Sequence, residues 1–311
     1  MASPRLSIGL PVYNGERHIA ESLRTLLNQT FEDYELIISD NASTDSTPDI
    51  CSEFERLDSR VRFVRQPHNI GMTPNHNFVV EQSTGEFFKW ASHSDLYAPD
   101  LLQRCVEALD RYDDVMLVHS WTATIDDSGA LTQTLEYPLV TASRSVPVRF
   151  LSLLFDSGGD DYYGVFRSEI LRKFLPQGSY FHSDRTVVTS VGLWGPFYQV
   201  PDWLYFRRDH TAPEVQKRST TRGWSTNIDP RLANRLRHPA ARLYAEYIWG
   251  YVKAIRCAPM SRQDRRQCYR CLLRYLADRS HIKDANYTSS VSTLPILDLA
   301  SVSVSHEGVP S

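Results

Sequence analysis

A doubly wound α/β fold on a mostly parallel sheet is what this sequence predicts, and three observations predict it. Short apolar runs alternate with segments of helical period from the first residues onward. Helices of that length between strands imply parallel pairing, which places a functional site at the strands' C-terminal ends. A chain of 311 residues, 41% of them hydrophobic, can bury one large core.

Residues 5–10 read as the first strand, and Ile19, Leu23, Leu26 and Leu27 then recur at helical spacing. Residues 34–39 read as the second strand and 47–57 as a helix, with Ser46 as its N-cap and Pro48 in its first turn. The alternation continues through a strand at 61–65, a helix over 74–82, a strand at 86–91, a helix over 99–112 and a strand at 115–120. From 121 to 145 the pattern turns irregular and polar. Helical stretches at 148–155 and 167–174 then flank the Gly-rich segment Ser157-Gly158-Gly159-Asp160, and a helix over 184–194 leads to strands at 197–200 and 203–207. Beyond 211 a polar linker precedes two basic helical stretches, 239–257 and 262–278. The Ser- and Val-rich residues 289–311 have no helical period and are expected to be a disordered tail.

The net charge of −3 conceals an asymmetry, because residues 204–283 hold 18 Lys/Arg against 6 Asp/Glu. A basic C-terminal third suits an anionic membrane face or an anionic acceptor, and exposed helical arginines are the plain alternative. Five cysteines, Cys51, Cys105, Cys257, Cys268 and Cys271, are odd in number and scattered, so a disulfide framework is not indicated. Cys268 and Cys271 form a lone CxxC without a second pair at zinc spacing and read as two thiols on one helix face. No apolar run approaches the roughly 20 residues that span a bilayer. A cytoplasmic protein is expected, peripheral at the inner face of the membrane if the basic helices meet it. The basic segment contains no recognised nucleic-acid module, and nucleic acid is not an expected partner.

A dinucleotide-binding fold would carry GxGxxG after the first strand; this chain has Gly9-Leu10-Pro11-Val12-Tyr13-Asn14-Gly15-Glu16, which removes the main support for nicotinamide or flavin chemistry. The segments PVYNGERHIAESLRTLLNQT, YELIISDNASTDST, RQPHNIGMTPNHN, GEFFKWASHSDLYAPDLL and SDR…GPFYQVPDWLYFRRDH stand in the order and at the separations of family 2 glycosyltransferases, which the chain resembles over roughly residues 5–210. The resemblance implies a GT-A fold and an inverting transfer of a hexosyl or deoxyhexosyl group from a nucleotide-diphosphate sugar to an acceptor hydroxyl. A divalent metal, Mn2+ or Mg2+, is implied with it. On that reading residues 1–215 form the transferase domain, with donor binding in about 1–120 and acceptor binding in about 121–215. Residues 216–288 form a basic helical extension.

Asp40 ends the second strand, where its carboxylate can accept a hydrogen bond from a nucleobase NH or cap the turn that follows. The resemblance favours the base. It also places Tyr13, behind Pro11, against the nucleotide, and assigns Asn69, Asn75 and Ser94 to the donor site. A departing diphosphate develops negative charge that a hard cation among oxygen ligands would stabilise. The family supplies an acidic triplet for it, and here the triplet is His93-Ser94-Asp95, so only Asp95 is conventional. Asp95 is the expected ligand, against an alternative as helix N-cap; His93 either ligates, bonds the sugar or lines the site. His210 would complete the metal shell and Arg207 and Arg208 would hold the phosphates, since guanidinium forks match diphosphate oxygens. Asp184, in His182-Ser183-Asp184-Arg185, matches the family's catalytic base at the head of a helix, where the helix N-terminus favours negative charge. Asp160 and Asp161 are the alternative bases.

Two other classes fit the same pattern less well. A sugar nucleotidyltransferase would want a Gly- and Lys/Arg-rich loop after the first strand, which Tyr13-Asn14-Gly15-Glu16 does not supply. A catalytically silent nucleotide-sugar-binding protein is supported by the altered triplet, and donor hydrolysis separates it from an enzyme. The acceptor is expected to be a glycan or glycolipid of the cell envelope.

Overall fold

The computed structural model describes residues 3–135, 140–155, 160–180, 182–209, 226 and 228–278. His210, the linker after it and the tail at 289–311 lie outside the described residues. The first half follows the expected alternation: β1 (Leu6–Val12), α1 (Ile19–Leu27), β2 (Tyr34–Asp40), α2 (Thr47–Leu57), β3 (Val61–Arg65), α3 (Met72–Glu81), β4 (Phe87–Trp90), β5 (Leu96–Tyr97) and α4 (Leu101–Arg111). The second half comprises β6 (Leu117–Ile125), β7 (Leu131–Leu135), α5 (Val146–Phe155), β8 (Val165–Arg167), α6 (Ser168–Leu171), α7 (Ser183–Gly192), β9 (Phe197–Arg208), α8 (Ala240–Cys257) and α9 (Arg262–Ala277).

Among the described residues nine strands form one sheet in the order β3-β2-β1-β4-β8-β6-β9-β5, with β7 beside the distal part of β6. The β3-β2-β1-β4 half is parallel throughout, and β6 runs parallel to β9; β5, β7 and β8 add antiparallel pairs. Alternate residues of β1 and β2 face opposite sides. Leu6, Ile8, Leu10, Leu36 and Ile38 bury against Leu23 and Leu26 of α1 and Leu102 and Val106 of α4. On the other face Ile37, Phe88 and Trp90 pack with Val79 of α3 and Val188 and Val191 of α7. Helices thus cover both faces, and the ends of β1, β2 and β4 open onto one edge.

The stretch 121–145, read as irregular, contains the rest of β6 and all of β7. β7 reads Leu-Thr-Gln-Thr-Leu and buries its two leucines while Thr132 is exposed and Gln133 and Thr134 are half-buried, so its polarity hides it. β8 is three residues long and β5 two, too short to leave a periodicity. The two strands expected at 197–200 and 203–207 are one, β9; Pro201 and Asp202 fall where its register with β6 shifts. The stretch 167–174 holds the end of β8, the short α6 and a 3-10 turn rather than one helix.

The two basic helices are anchored on α5. Tyr247, Tyr251 and Ile255 of α8 and Cys268 and Leu272 of α9 share an apolar cluster with Phe150 and Leu154 of α5. Cys268 is wholly buried there, and Cys271 is half-buried with Sγ 3.9 Å from the carbonyl of Pro147, as thiols on a packed helix face would be. Among the described residues no helix is long and apolar enough to cross a membrane.

Candidate active site

The turns after β1 and β2 are laced together. Asn14, held at a positive φ of 51°, donates its backbone N–H to Ser43 Oγ at 2.8 Å and accepts from the N–H of Thr44 at 2.9 Å through Oδ1. Gly15 N donates to Thr47 Oγ1 at 2.8 Å. Pro11, paired with Ser39 across the sheet, is buried, whereas Tyr13 at the turn is 45% exposed and presents a ring to the crevice rim. Asp40 is fully buried; its carboxylate accepts from Ser43 N at 3.1 Å and faces Arg65 Nε at 3.3 Å. Beside it Asn41 Nδ2 donates to Asn69 Oδ1 at 3.0 Å, and Asn69 Oδ1 also accepts from Gly71 N at 2.9 Å, which shapes the entry to α3. Asn75 lies beneath: its amide accepts from Ser39 Oγ at 2.6 Å and donates to Ser39 O at 2.9 Å, so it ties α3 to β2.

The turn between β4 and β5 carries His93, Ser94 and Asp95. Asp95 is not a helix cap; Asp100 holds the N-cap position of α4. The Asp95 carboxylate accepts from the phenol of Tyr205 on β9 and from Arg208 N at 2.9 Å. Burial pushes the Asp95 carboxyl up, opposed by these two hydrogen bonds. His93 lies against Gly15: a Cβ added to Gly15 would stand 2.7 Å from its Cδ2, so a glycine is needed where the two turns meet. Ser94 is buried, with Oγ 3.2 Å from Ser92 Oγ. Arg208, expected at the phosphates, is instead buried and fully engaged: it donates to Ser94 O at 2.8 Å, to Asp126 O at 2.6 Å and to Glu21 at 2.7 Å. It buttresses the Asp95 turn from behind. Arg207 is the more accessible of the pair and reaches Asp160 at 3.2 Å.

The Tyr163 phenol is pushed up first by burial and then by Asp95, Asp160 and Asp184. Tyr163 stacks on Tyr205, which bonds Asp95, so the β4–β5 turn, the 3-10 turn at Asp161–Tyr163 and the head of α7 converge at the end of the sheet. Asp184 sits half-buried in the first turn of α7, which follows His182 in the left-handed region at φ 55°. Its neighbour Arg185 turns the other way and donates to Asp161 Oδ1 at 2.6 Å. Asp161 is fully buried, and burial raises its carboxyl to about 6, against the pull of Arg185. His76 of α3 also lies in the field of Asp184, with Nδ1 2.9 Å from Met72 O.

Three of these residues escaped the sequence reading. Lys89 is a buried lysine on β4 that donates to Tyr163 O and lies 5.3 Å from the centre of the Tyr97 ring; burial lowers its ammonium to about 8. A lysine inside the apolar run Phe87-Phe88-Lys89-Trp90-Ala91 was the available signal. Tyr163 and Tyr205 carried none, because a buried phenol looks like any core aromatic in a sequence.

These features match a known family. The profile described as "Glycosyl transferase family 2" matches residues 7–174, more than half of the chain. The chain belongs to glycosyl transferase family 2. As a family 2 glycosyltransferase it is 30% identical over 129 residues to the "Putative glycosyltransferase EpsH" of Bacillus subtilis, a match covering 42% of this chain and 37% of that protein. It is 27% identical over 131 residues to the uncharacterized glycosyltransferase MJ1057 of Methanocaldococcus jannaschii, covering 42% and 45% of the two. The chain thus spans less than half the length of these relatives. The crystal structure of S. aureus TarS shares its fold at a TM-score of 0.63 and 16% identity, over 91% of this chain and 75% of that one. The mannosyltransferase PcManGT from Pyrobaculum calidifontis, in complex with GDP-Man and Mn2+, does so at 0.53 and 16%, over 89% and 76%. The GT-A fold of this family 2 glycosyltransferase is the one expected.

Its donor set suits a divalent ion only in part. Among the described residues no group of three or more His, Cys, Asp or Glu side chains gathers around one point. Asp95 and His93 share one turn, and a hard ion bound through one or two protein groups commonly takes its remaining ligands from substrate phosphates. His210 lies outside the described residues.

Proposed function

We propose that this family 2 member transfers a sugar from a nucleotide-diphosphate donor to an acceptor hydroxyl with inversion, Asp184 taking the proton. The observation that carries this reading is the meeting, at the end of the parallel sheet where such folds bind nucleotides, of the Asp95 turn, joined through Tyr205 to Tyr163, with the Asp160–Asp161 turn and the head of α7, joined by Arg185 to Asp161. The base of the donor would lie over Asp40 and the exposed ring of Tyr13. Asp95 and His93 would hold Mn2+ or Mg2+ together with the diphosphate, and the ion would supply stabilisation of the negative charge that develops on the leaving group. Arg207, the accessible arginine of its pair, would approach a phosphate by exchanging Asp160 for it. Asp184 would accept the acceptor proton while the hydroxyl oxygen bonds to the anomeric carbon and the nucleoside diphosphate leaves from the opposite face. Asp161, held by Arg185, would fix the first turn of α7 rather than act as the base.

TarS has been crystallised with UDP and with UDP-GlcNAc, and PcManGT with GDP-Man, which makes uridine and guanosine donors the first to test here. The exposed arginines Arg262, Arg266, Arg270 and Arg274 recur every fourth residue along α9 and support a peripheral contact with anionic lipid, and hence an envelope glycan or glycolipid as acceptor. Flotation with acidic and neutral liposomes tests that contact; equal behaviour in both removes it. The enzymatic reading is tested by Asp184→Asn. Transfer should fall by about 10^2 to 10^4, the usual range for a general base, with donor affinity within about twofold. Undiminished turnover would exclude Asp184 from the chemistry.

A further inference from the structure

A second groove opens on the other flank of α7. It has a volume of about 340 Å3 and runs between the segment after Arg172, the outer face of α7 and helix α8, with Phe174, Tyr180 and Trp249 among its walls and Glu246 and Lys253 at its rim. That volume lies at the small end of the roughly 300–1,000 Å3 typical of ligand sites. Gly250 keeps α8 close: a Cβ there would stand 2.5 Å from Tyr180 Oη and 2.9 Å from Thr186 Cγ2.

The groove runs along α7, the helix whose first turn carries Asp184. Its α7 wall is Thr186, Val187 and Ser190, which at 1.5 Å per residue lie roughly 3 to 9 Å along the helix from Asp184. Gln177, on the groove floor, donates from Nε2 to Ser183 Oγ at 2.8 Å, one residue before Asp184. Asp184 also raises the Tyr180 phenol, after burial. A chain that reached Asp184 along this flank of α7 would pass the groove before its terminal hydroxyl arrived.

The lining suits carbohydrate. Trp249 is 56% exposed although it is the largest apolar side chain on α8, and aromatic faces pack against the C–H faces of sugar rings while the tip remains able to hydrogen-bond. Glu246, whose Oε1 accepts from Arg242 Nε at 2.8 Å, keeps a second oxygen as acceptor, and Lys253 is exposed and can donate. A lipid tail would gain nothing from these two groups, and a folded protein would not enter so narrow a slot.

We propose that the α7–α8 groove is an extended acceptor subsite, holding the one or two sugar units that precede the residue being glycosylated. This rests on the transferase reading above and adds that the acceptor is a saccharide chain rather than a single sugar. The C-terminal helices, on this account, contribute to acceptor choice.

The test uses the full chain and Trp249→Ala, an exposed position whose truncation leaves the core intact. Both proteins are applied with UDP to an array of defined mono- to hexasaccharides, and their affinities for UDP-GlcNAc and GDP-mannose are measured separately with Mn2+. The wild type should retain a subset of glycans of two or more units, and Trp249→Ala should lose about tenfold of that signal with unchanged donor affinity. Retention of no oligosaccharide by the wild type, or equal retention by the variant, would overturn the subsite. Failure of both proteins to bind any nucleotide sugar would instead count against the transferase reading.

Discussion

Asp161 offers a stability experiment whose size and sign follow from the structure. It opens the 3-10 turn beside the candidate active site and is fully buried, with Arg185 on Oδ1 and no hydrogen-bond partner for Oδ2 among the described residues. Burial, with Asp160 and Asp184 as nearby negative charges, outweighs Arg185 and lifts the carboxyl from 3.8 to about 6. The folded form then binds this proton more tightly than the unfolded chain does. Stability falls as pH rises through that window and the loss is complete above it, at about 1.4 kcal/mol per unit or about 3 kcal/mol in all. Asp161→Asn carries no charge at any pH and keeps a carbonyl oxygen for Arg185 to donate to. Urea denaturation of both proteins between about pH 3.5 and 7.5 should show the variant gaining about 3 kcal/mol relative to wild type as pH rises. A difference that stays flat within about 0.5 kcal/mol, or falls, would mean that Arg185 governs the site and that burial does not.

Other outcomes follow from neighbouring contacts. Arg208→Met removes a buried guanidinium with its three hydrogen bonds and leaves Ser94 O without its arginine donor, while Asp126 O keeps the Gly129 N–H; a loss of about 3 kcal/mol is expected in chemical denaturation, with wild-type stability placing Arg208 outside the framework. Gly15→Ala pushes a methyl into the His93 ring and against buried Val12, so weaker donor binding with a lowered melting temperature is expected, and an unchanged donor Kd would show that the His93 turn is not part of the donor site. Tyr205→Phe deletes the phenol that holds Asp95 and should raise the donor Kd by several-fold in the presence of Mn2+, as titration calorimetry would read; an unaffected Kd would uncouple Asp95 from the donor.

The parallel half of the fold was legible because its strands are buried on both faces and its helices carry clear periods: α2 and β3 stand at the residues that the pattern names. The second half was not, since β5, β7 and β8 are short or half-polar and owe their strand form to neighbours far along the chain. The site divides similarly. Asp40, Asp95 and Asp184 follow strand ends or a helix start, which sequence locates. What sequence could not give is direction: Arg207 and Arg208 are adjacent on one strand, so their side chains leave opposite faces, one toward Asp160 and one into the interior. Asn75 shows the same effect, an amide that looks available in a motif and is occupied by Ser39 in the fold.

The decisive measurement is calorimetric titration of the full chain with UDP-GlcNAc, GDP-mannose and their parent diphosphates, with and without Mn2+, alongside Asp95→Ala. Saturable binding of a uridine or guanosine donor, weakened at least tenfold when either the ion or the Asp95 carboxylate is taken away, is the predicted result. Metal-independent binding of equal strength in both proteins, or heat from no nucleotide at all, would contradict a donor site built on the turn between β4 and β5.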